Sequence, residues 1–144
     1  IITKKGTYLL EYNVRMGDPE TQSVLSLMDS DLFEVIEAAL NEKLSETTIK
    51  WKNEVCINVV LASKGYPKKF NKGYEIKIDD SIKDKVFLAG AVEEKWVLKT
   101  SGGRVLSVVG HGKNLEEARK DAYNNVKLVS FKDSYYRTDI GIYK

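Results

Sequence analysis

Residues 55–62 read Val-Cys-Ile-Asn-Val-Val-Leu-Ala, a nearly continuous apolar run. All of its residues except Asn58 are apolar, and a short apolar run rich in β-branched residues is typical of a buried strand. The chain before it differs, because residues 45–53 are mostly polar and the apolar residues further upstream recur at helical spacing. We therefore place a subdomain boundary here and divide the chain into residues 1–46 and 47–144.

The second part reads as several strands followed by one helix. Ser101-Gly102-Gly103 separates two apolar runs and indicates a hairpin. Asn114 is the predicted cap of a helix whose apolar stripe extends to Val129. The strand candidates are residues 55–62, 74–78, 85–92, 95–100 and 105–109. Strands that follow one another without helical crossovers predict an antiparallel α+β unit, a small sheet with a packed helix.

The first part reads as a strand and two helices. Along residues 8–15, apolar and aromatic side chains at the even positions alternate with mostly polar side chains at the odd positions. This period of two predicts the strand. The strand breaks at Gly17, after which Asp18 can cap a helix and Pro19 can be its first residue. A second helix is predicted over residues 32–44, with Asp29 or Ser30 as its cap. We expect both helices to pack on the strand.

Glu11, Asn13 and Arg15 share one face of the predicted strand, about 6.6 Å apart. This polar stripe suits a magnesium-bound polyphosphate, because Mg²⁺ takes oxygen ligands and arginine binds phosphate through two hydrogen bonds. The residues alone also allow a simpler interpretation, in which the stripe is the solvated face of an edge strand and Arg15 pairs with Glu20.

Two glycine-containing loops are candidate phosphate sites. Gly102 and Gly103 can bring backbone N–H groups close to a phosphate, with Arg104 completing the site. They can equally be present because the turn needs positive φ. Gly65 and Tyr66 form a second loop of this kind.

The composition excludes several classes of protein. Apolar residues make up 42% and charged residues 31% of the 144 residues, as in ordinary globular proteins, and we see neither a long apolar run nor a signal peptide. The net charge is +2, and the lysines are scattered among acidic residues without forming a basic cluster. This distribution argues against nucleic-acid binding.

Cys56 has no partner for an intrachain disulfide, which favours a cytoplasmic protein, and we expect it to be a small buried hydrophobe. His111 is the only histidine and is interpreted as a surface turn residue, so most Ser-His-Asp and histidine metal sites are excluded.

Five motifs, spread over nearly the whole chain, resemble one family in the same order. The first is Glu11-Tyr12-Asn13 with Arg15-Met16-Gly17-Asp18-Pro19-Glu20-Thr21-Gln22. The others are Ala62-Ser63-Lys64-Gly65-Tyr66-Pro67, Val86-Phe87-Leu88-Ala89-Gly90, Gly102-Gly103-Arg104-Val105-Leu106 and Tyr136-Arg137-Thr138-Asp139-Ile140-Gly141. Together they resemble the phosphoribosylamine-glycine ligase family of ATP-grasp enzymes. Met16 replaces the family's usual phenylalanine or leucine, and Lys68 stands where the family often has glycine.

The resemblance implies a function in de novo purine (IMP) biosynthesis. The family joins glycine to 5-phosphoribosylamine with ATP, through a glycyl phosphate, giving ADP, phosphate and glycinamide ribonucleotide. Glu11 and Asn13 would hold Mg²⁺ or Mn²⁺, and Arg15 and Asp18 would be the catalytic residues. The substrate-binding residues would be Gly17, Gly65, Tyr66, Gly102, Gly103 and Arg104.

The chain starts at Ile1, inside a segment of β character, and reads as a C-terminal fragment of such an enzyme. Residues 1–46 would end the ATP-grasp domain, and residues 47–144 would form the C-terminal α+β subdomain. Its partners would be the three substrates and the missing N-terminal, ATP-binding portion, with neither nucleic acid nor membrane. We expect the fragment alone to be inactive. The alternatives are a non-catalytic ATP-grasp-like binding module and a related ATP-grasp carboxylate-amine ligase.

Overall fold

The computed structural model describes residues 1–142 and contains three α-helices, ten short strands and two 3₁₀ helices over that range. The α-helices are α1 (Glu20–Ser26), α2 (Leu32–Leu40) and α3 (Leu115–Val126), and the 3₁₀ helices are Leu44–Glu46 and Asp80–Lys85. The strands are β1 (Ile2–Thr3), β2 (Gly6–Thr7), β3 (Val55–Ser63), β4 (Lys77–Ile78), β5 (Val86–Leu88), β6 (Ala91–Glu94), β7 (Val97–Thr100), β8 (Arg104–Gly112), β9 (Val129–Ser130) and β10 (Ser134–Tyr135).

The apolar run at residues 55–62 forms β3, as predicted, and lies inside the largest sheet. This sheet has four antiparallel strands in the order β10-β3-β8-β5. The long pairing of β3 with β8 places Ile57 opposite Gly110 and Leu61 opposite Leu106. The predicted mixed fold with a small antiparallel sheet and a packed helix is therefore confirmed.

Helix α3 covers one face of the sheet and forms the core with it. Val59 and Val108 of the sheet are fully buried in the same cluster as Ala122 and Val126 of the helix. The predicted cap is confirmed, because the Asn114 side-chain oxygen accepts a 2.9 Å hydrogen bond from the Glu117 backbone N–H. The helix is shorter than its apolar stripe, since Val129 belongs to β9.

Helix α1 lies on the other face of the sheet, which corrects our expectation that it packs on residues 8–15. The Asn58 side chain of β3 donates a 2.9 Å hydrogen bond to the Pro19 carbonyl, and Ser26 of α1 donates to Cys56 at 3.3 Å. Residues 8–15 form no strand, because within residues 1–142 only Tyr8 exchanges backbone hydrogen bonds, with Ile1, and residues 9–15 have no strand partner. Helix α1 therefore packs on the four-stranded sheet, because the predicted strand at residues 8–15 does not form.

The predicted hairpin at Ser101-Gly102-Gly103 is wrong. β7 pairs with β6 through a turn at Lys95 and Trp96, which have φ of 50° and 66°, whereas β8 pairs with β3 and β5. The two glycines therefore carry the chain from one sheet into another. The predicted strand over residues 85–92 is divided accordingly, into β5 and β6.

Two smaller predictions are also corrected. Helix α2 is capped by Asp31, whose side chain accepts from the Phe33 backbone N–H at 2.8 Å, and neither Asp29 nor Ser30 is the cap. Of the predicted strand at residues 74–78, only Lys77–Ile78 pairs as a strand, with β9.

The first forty residues expose much apolar surface. Leu10 is 75% exposed, Val14 is 94% exposed, and Phe33 of α2 is 70% exposed. None of the residues in α1 or α2 is buried. Burial of apolar surface therefore fixes the sheet and α3 much more firmly than it fixes residues 1–16 and α2.

Candidate functional site

A pocket of about 290 Å³ lies where four of the five sequence motifs meet. Pro19 comes from the first motif, Tyr66 from the second, Arg104 from the fourth and Arg137 from the fifth. The complete lining is Pro19, Asn58, Val59, Val60, Ala62, Tyr66, Arg104, Tyr135, Tyr136, Arg137 and Ile140. Strands β3, β8 and β10 bring these distant segments together, so the pocket is a product of the fold.

Asp18 and Arg104 join the first motif to the edge of the pocket. Arg104 Nη2 lies 3.3 Å from Asp18 Oδ2, and Arg104 Nη1 donates a 2.8 Å hydrogen bond to the Asp18 carbonyl. The two side chains are 41% and 40% exposed. Asp18 does not cap α1 as predicted, because its Oδ1 accepts from the Gln22 side chain at 3.0 Å and no side-chain cap bond is made. Asp18, predicted as a catalytic residue, and Arg104, predicted as a substrate-binding residue, are therefore neighbours.

The two glycines before Arg104 are required by packing and not by the turn conformation. Neither Gly102 nor Gly103 has positive φ, so that part of the turn interpretation is wrong. A Cβ on Gly103 would lie 2.6 Å from Tyr66 Cε2, and a Cβ on Gly102 would lie 2.9 Å from the Cα of Gly90. The Tyr66 ring thus packs directly on the Gly103 backbone, which holds the ring at the pocket.

Gly65 and Gly17 occupy turns beside these elements. Gly65 has φ of 101°, a conformation that favours glycine, and its carbonyl accepts a 2.8 Å hydrogen bond from the Lys68 N–H. Gly17 accepts a 2.9 Å backbone hydrogen bond from Thr21 at the start of α1. Positive φ explains Gly65, whereas Gly17 does not have positive φ, and contact of either glycine with a substrate stays a prediction.

Glu11, Asn13 and Arg15 lie together although their segment is not a strand. Asn13 Nδ2 donates to Glu11 Oε1 at 3.3 Å, and Arg15 Nη1 donates to Asn13 Oδ1 at 3.2 Å. All three residues are exposed. The predicted polar stripe therefore forms through side-chain contacts between alternate residues, while its metal and phosphate roles stay predictions.

The stripe offers one carboxylate and one amide oxygen to a cation. Within residues 1–142 no group of three or more His, Cys, Asp or Glu side chains could hold a metal ion. Mg²⁺ commonly takes one or two protein oxygens and completes its shell with water and phosphate. Glu11 and Asn13 fit such a partial site, and the donor set does not fit a metal site made by protein alone.

Sequence reasoning missed most of the residues that line the pocket, among them Arg137 and Asn58. Arg137 lines it and binds Asp139 through hydrogen bonds of 2.9 and 2.8 Å, and the hydrogen bond lowers the pKa of the Asp139 carboxyl. Asn58 also lines it, and its Oδ1 is buried without a hydrogen-bond partner among residues 1–142. Asn58 had a visible signal, since it is the one strongly polar side chain in the apolar run of β3.

Cys56 and His111 form a separate small cluster under α1. His111 lies in β8 opposite Cys56 and is not in a turn, so that prediction is wrong. Its Nε2 is 3.1 Å from Ser26 Oγ, which also contacts Cys56. Cys56 is half-buried, and burial raises the pKa of its thiol.

Comparison with known proteins agrees with the resemblance seen in the five motifs. Residues 56–143 match the family described as "Phosphoribosylglycinamide synthetase, C domain". The chain is 55% identical over 141 residues to the phosphoribosylamine-glycine ligase of Clostridium acetobutylicum, covering 98% of this chain and 34% of that protein. It is 52% identical to the Fusobacterium nucleatum ligase, covering 93% of this chain and 33% of that protein.

The solved structures add a match at the level of the fold. The crystal structure of the phosphoribosylamine-glycine ligase of Thermotoga maritima superposes with a TM-score of 0.74 at 36% identity, over 97% of this chain and 35% of that one. The chain therefore spans about a third of the length of these relatives. Over residues 1–142 we find no helix that is long and apolar enough to cross a membrane. The family resemblance is confirmed, and the chain belongs to the phosphoribosylglycinamide synthetase family, whose C domain it carries.

Proposed function

We propose that this chain supplies the acceptor-binding part of a phosphoribosylamine-glycine ligase, together with metal ligands that face ATP. In the proposed reaction ATP phosphorylates the carboxylate of glycine, and the amine of 5-phosphoribosylamine attacks the glycyl phosphate. ADP, phosphate and glycinamide ribonucleotide then leave. The reaction would serve purine biosynthesis in the cytoplasm. One observation carries the proposal, the convergence of four separated motifs on a single pocket that contains two arginines.

The pocket has the chemistry expected for a phosphoribosyl group. Arg104 and Arg137 supply guanidinium groups that can bind phosphate with two hydrogen bonds each. The Tyr66 ring and the aliphatic residues of β3 supply apolar surface for the sugar. A volume of about 290 Å³ is near the lower end of the range for small-molecule sites, which suits a single sugar phosphate.

The polar stripe would act on the ATP side of the same reaction. Glu11 and Asn13 would hold Mg²⁺ or Mn²⁺, which when bound neutralises charge on the phosphates of ATP. Arg15 would offset negative charge on the acyl phosphate, and Asp18 would accept a hydrogen bond from the attacking amine. None of these side chains acts as a nucleophile, so the rate enhancement comes from alignment of substrates and from charge stabilisation.

The remaining parts of the ligase would come from outside this chain. We assign residues 1–46 to the end of an ATP-grasp domain and residues 47–144 to the C-terminal subdomain. The exposed apolar side chains of residues 1–16 and α2 would pack against the ATP-binding portion of the ligase, which lies outside this chain. The chain alone is then expected neither to ligate glycine nor to bind ATP tightly, and micromolar ATP affinity in isothermal titration would contradict this.

A chimeric enzyme tests the proposal. This chain would replace the matching third of the Clostridium acetobutylicum ligase, and phosphate release would be measured with all three substrates and with each one omitted. Activity that requires all three substrates is the expected result, and Glu11→Gln should remove most turnover without unfolding the protein. Glu46→Gln removes the same charge at an exposed position and should keep the turnover. A folded chimera without activity would refute the ligase proposal and favour a non-catalytic binding module.

A further inference from the structure

Both arginines of the pocket already hold carboxylates of the same chain. Arg137 binds Asp139 through two hydrogen bonds of 2.9 and 2.8 Å. Arg104 contacts Asp18 through one side-chain contact of 3.3 Å and also donates to the Asp18 carbonyl at 2.8 Å. An anion that enters the pocket therefore meets guanidinium groups whose charge is partly neutralised.

The two pairs differ in how easily an anion could replace the carboxylate. The Arg137 pair is bidentate and joins residues two apart in one loop, so its partner stays close. The Arg104 pair is longer and has one side-chain contact, and its two residues lie 86 positions apart. A phosphate can offer Arg104 two short charge-assisted hydrogen bonds in place of one long contact. Arg104 is thus the guanidinium that can change its partner.

Asp18 would remain in place after such an exchange. Its Oδ1 accepts a 3.0 Å hydrogen bond from Gln22 of α1, and that bond does not involve Arg104. Loss of the arginine would therefore free Asp18 Oδ2 while Oδ1 keeps the carboxylate oriented. A freed carboxylate oxygen beside the pocket is an acceptor for an amine or hydroxyl hydrogen.

We infer that Asp18 is an internal competitor of the ligand's phosphate for Arg104, and that phosphate binding releases Asp18 Oδ2 to accept a hydrogen bond from the ligand. The inference rests on the proposed function, because it takes the pocket to bind a phosphomonoester of a sugar. The inference adds an order of binding events, because Asp18 Oδ2, which would position the amine, becomes free only when the phosphate is bound to Arg104. A sugar without phosphate would meet an Asp18 that is still paired.

The consequence is a substitution that improves binding. Asp18→Asn keeps the size of the side chain and an oxygen for Gln22 but removes the charge that attracts Arg104. Exposed ion pairs of this kind contribute a small free energy, which corresponds to roughly 1.5- to 5-fold in an equilibrium constant. Ribose 5-phosphate should therefore bind the variant about 1.5- to 5-fold more tightly than it binds the original chain.

Calorimetric or NMR titration of the 144-residue chain provides the test, with ribose 5-phosphate and ribose as probes. Asp18→Asn should tighten ribose 5-phosphate binding and should not tighten ribose binding. Arg104→Gln should weaken ribose 5-phosphate binding by at least 10-fold, an order-of-magnitude estimate for loss of a charged phosphate contact. Asp80→Asn is the matched control, because it removes one negative charge at an exposed position that pairs with Lys83.

The outcomes separate the inference from the proposed function. Equal or weaker ribose 5-phosphate binding by Asp18→Asn, compared with Asp80→Asn, overturns the competition while leaving the pocket as a phosphate site. An equal gain in both variants also overturns it, because the effect would then be one of net charge. Failure of the original chain and of Asp18→Asn to bind ribose 5-phosphate at millimolar concentration overturns the inference and removes the pocket from the proposed function.

Discussion

Gly103→Ala is expected to destabilise the chain through one side chain, that of Tyr66. A Cβ at Gly103 would lie 2.6 Å from Tyr66 Cε2, closer than carbon atoms can approach, and 3.0 Å from Cγ, which is a tight contact. Added methyl groups in packed regions cost about 1–3 kcal/mol in the free energy of unfolding. Because Tyr66 is 42% exposed, its ring can move partly towards solvent, and we expect about 1–2 kcal/mol, in the lower part of that range. This corresponds to a fall of roughly 4 °C in Tm for each kcal/mol.

A double-mutant cycle separates this contact from other effects of the substitution. Urea unfolding, followed by far-UV circular dichroism, would compare Gly103→Ala in the original chain and in a Tyr66→Ala background. Gly103 has no positive φ, so alanine fits its backbone and should be neutral or stabilise by about 0.5 kcal/mol once the ring is absent. The expected coupling is therefore at least about 1 kcal/mol. An equal loss of stability in both backgrounds would refute the packing explanation for Gly103.

Three further predictions concern the fold and two titrating groups. Gly110→Ala places a Cβ against the backbone of Ala122 in α3, which cannot move aside, so it should cost about 3 kcal/mol or more in urea unfolding; an unchanged midpoint contradicts the packing. Burial raises the pKa of the Cys56 thiol, so iodoacetamide at pH 8 should label the folded chain more slowly than the unfolded chain, and equal rates contradict this. The hydrogen bond from Arg137 lowers the pKa of the Asp139 carboxyl, so its stabilising contribution is present above the ordinary carboxyl pKa and is lost as pH falls through the lowered one. An NMR titration should show this pKa move upward in Arg137→Gln, and an unmoved midpoint contradicts the pair.

The sequence predicted the parts of the fold that are fixed by burial and by local capping. The apolar run at residues 55–62 became β3, and Asn114 caps α3, because each signal depends on few neighbours. The hairpin at Gly102-Gly103 failed because glycine pairs signal a turn only when the flanking strands pair with each other. Here Gly90 accepts hydrogen bonds from Ser101 and Gly102, and that long-range contact directs β8 into the other sheet.

The candidate site was predictable only in part. Arg104 and Tyr66 were identified by their motifs, and the structure brings both to one pocket. Arg137 belongs to the fifth motif, but no neighbouring residues marked it as a ligand-binding residue. Its place in the pocket follows from strand pairing. Asn58 was visible as the one strongly polar side chain in the apolar run of β3, but a buried hydrogen bond explains such a residue equally well, so its place in a pocket could not be inferred. Residue spacing along one segment cannot show which distant segments share a cavity.

The two halves of the proposed site depend on different forces. The pocket is held by contacts between distant segments of this chain, such as the Asp18–Arg104 pair and the Tyr66 ring on Gly103. Within residues 1–142 the stripe at residues 11–15 is held by two hydrogen bonds between alternate residues and by one of 2.9 Å from Arg15 Nη1 to the Met16 carbonyl, and all five residues are exposed. Exposed contacts of that kind contribute little free energy, so they can align a metal site only when a neighbouring strand fixes the backbone. We therefore expect the acceptor pocket to be formed in the chain by itself, while the metal stripe becomes ordered when the ATP-binding portion supplies that strand.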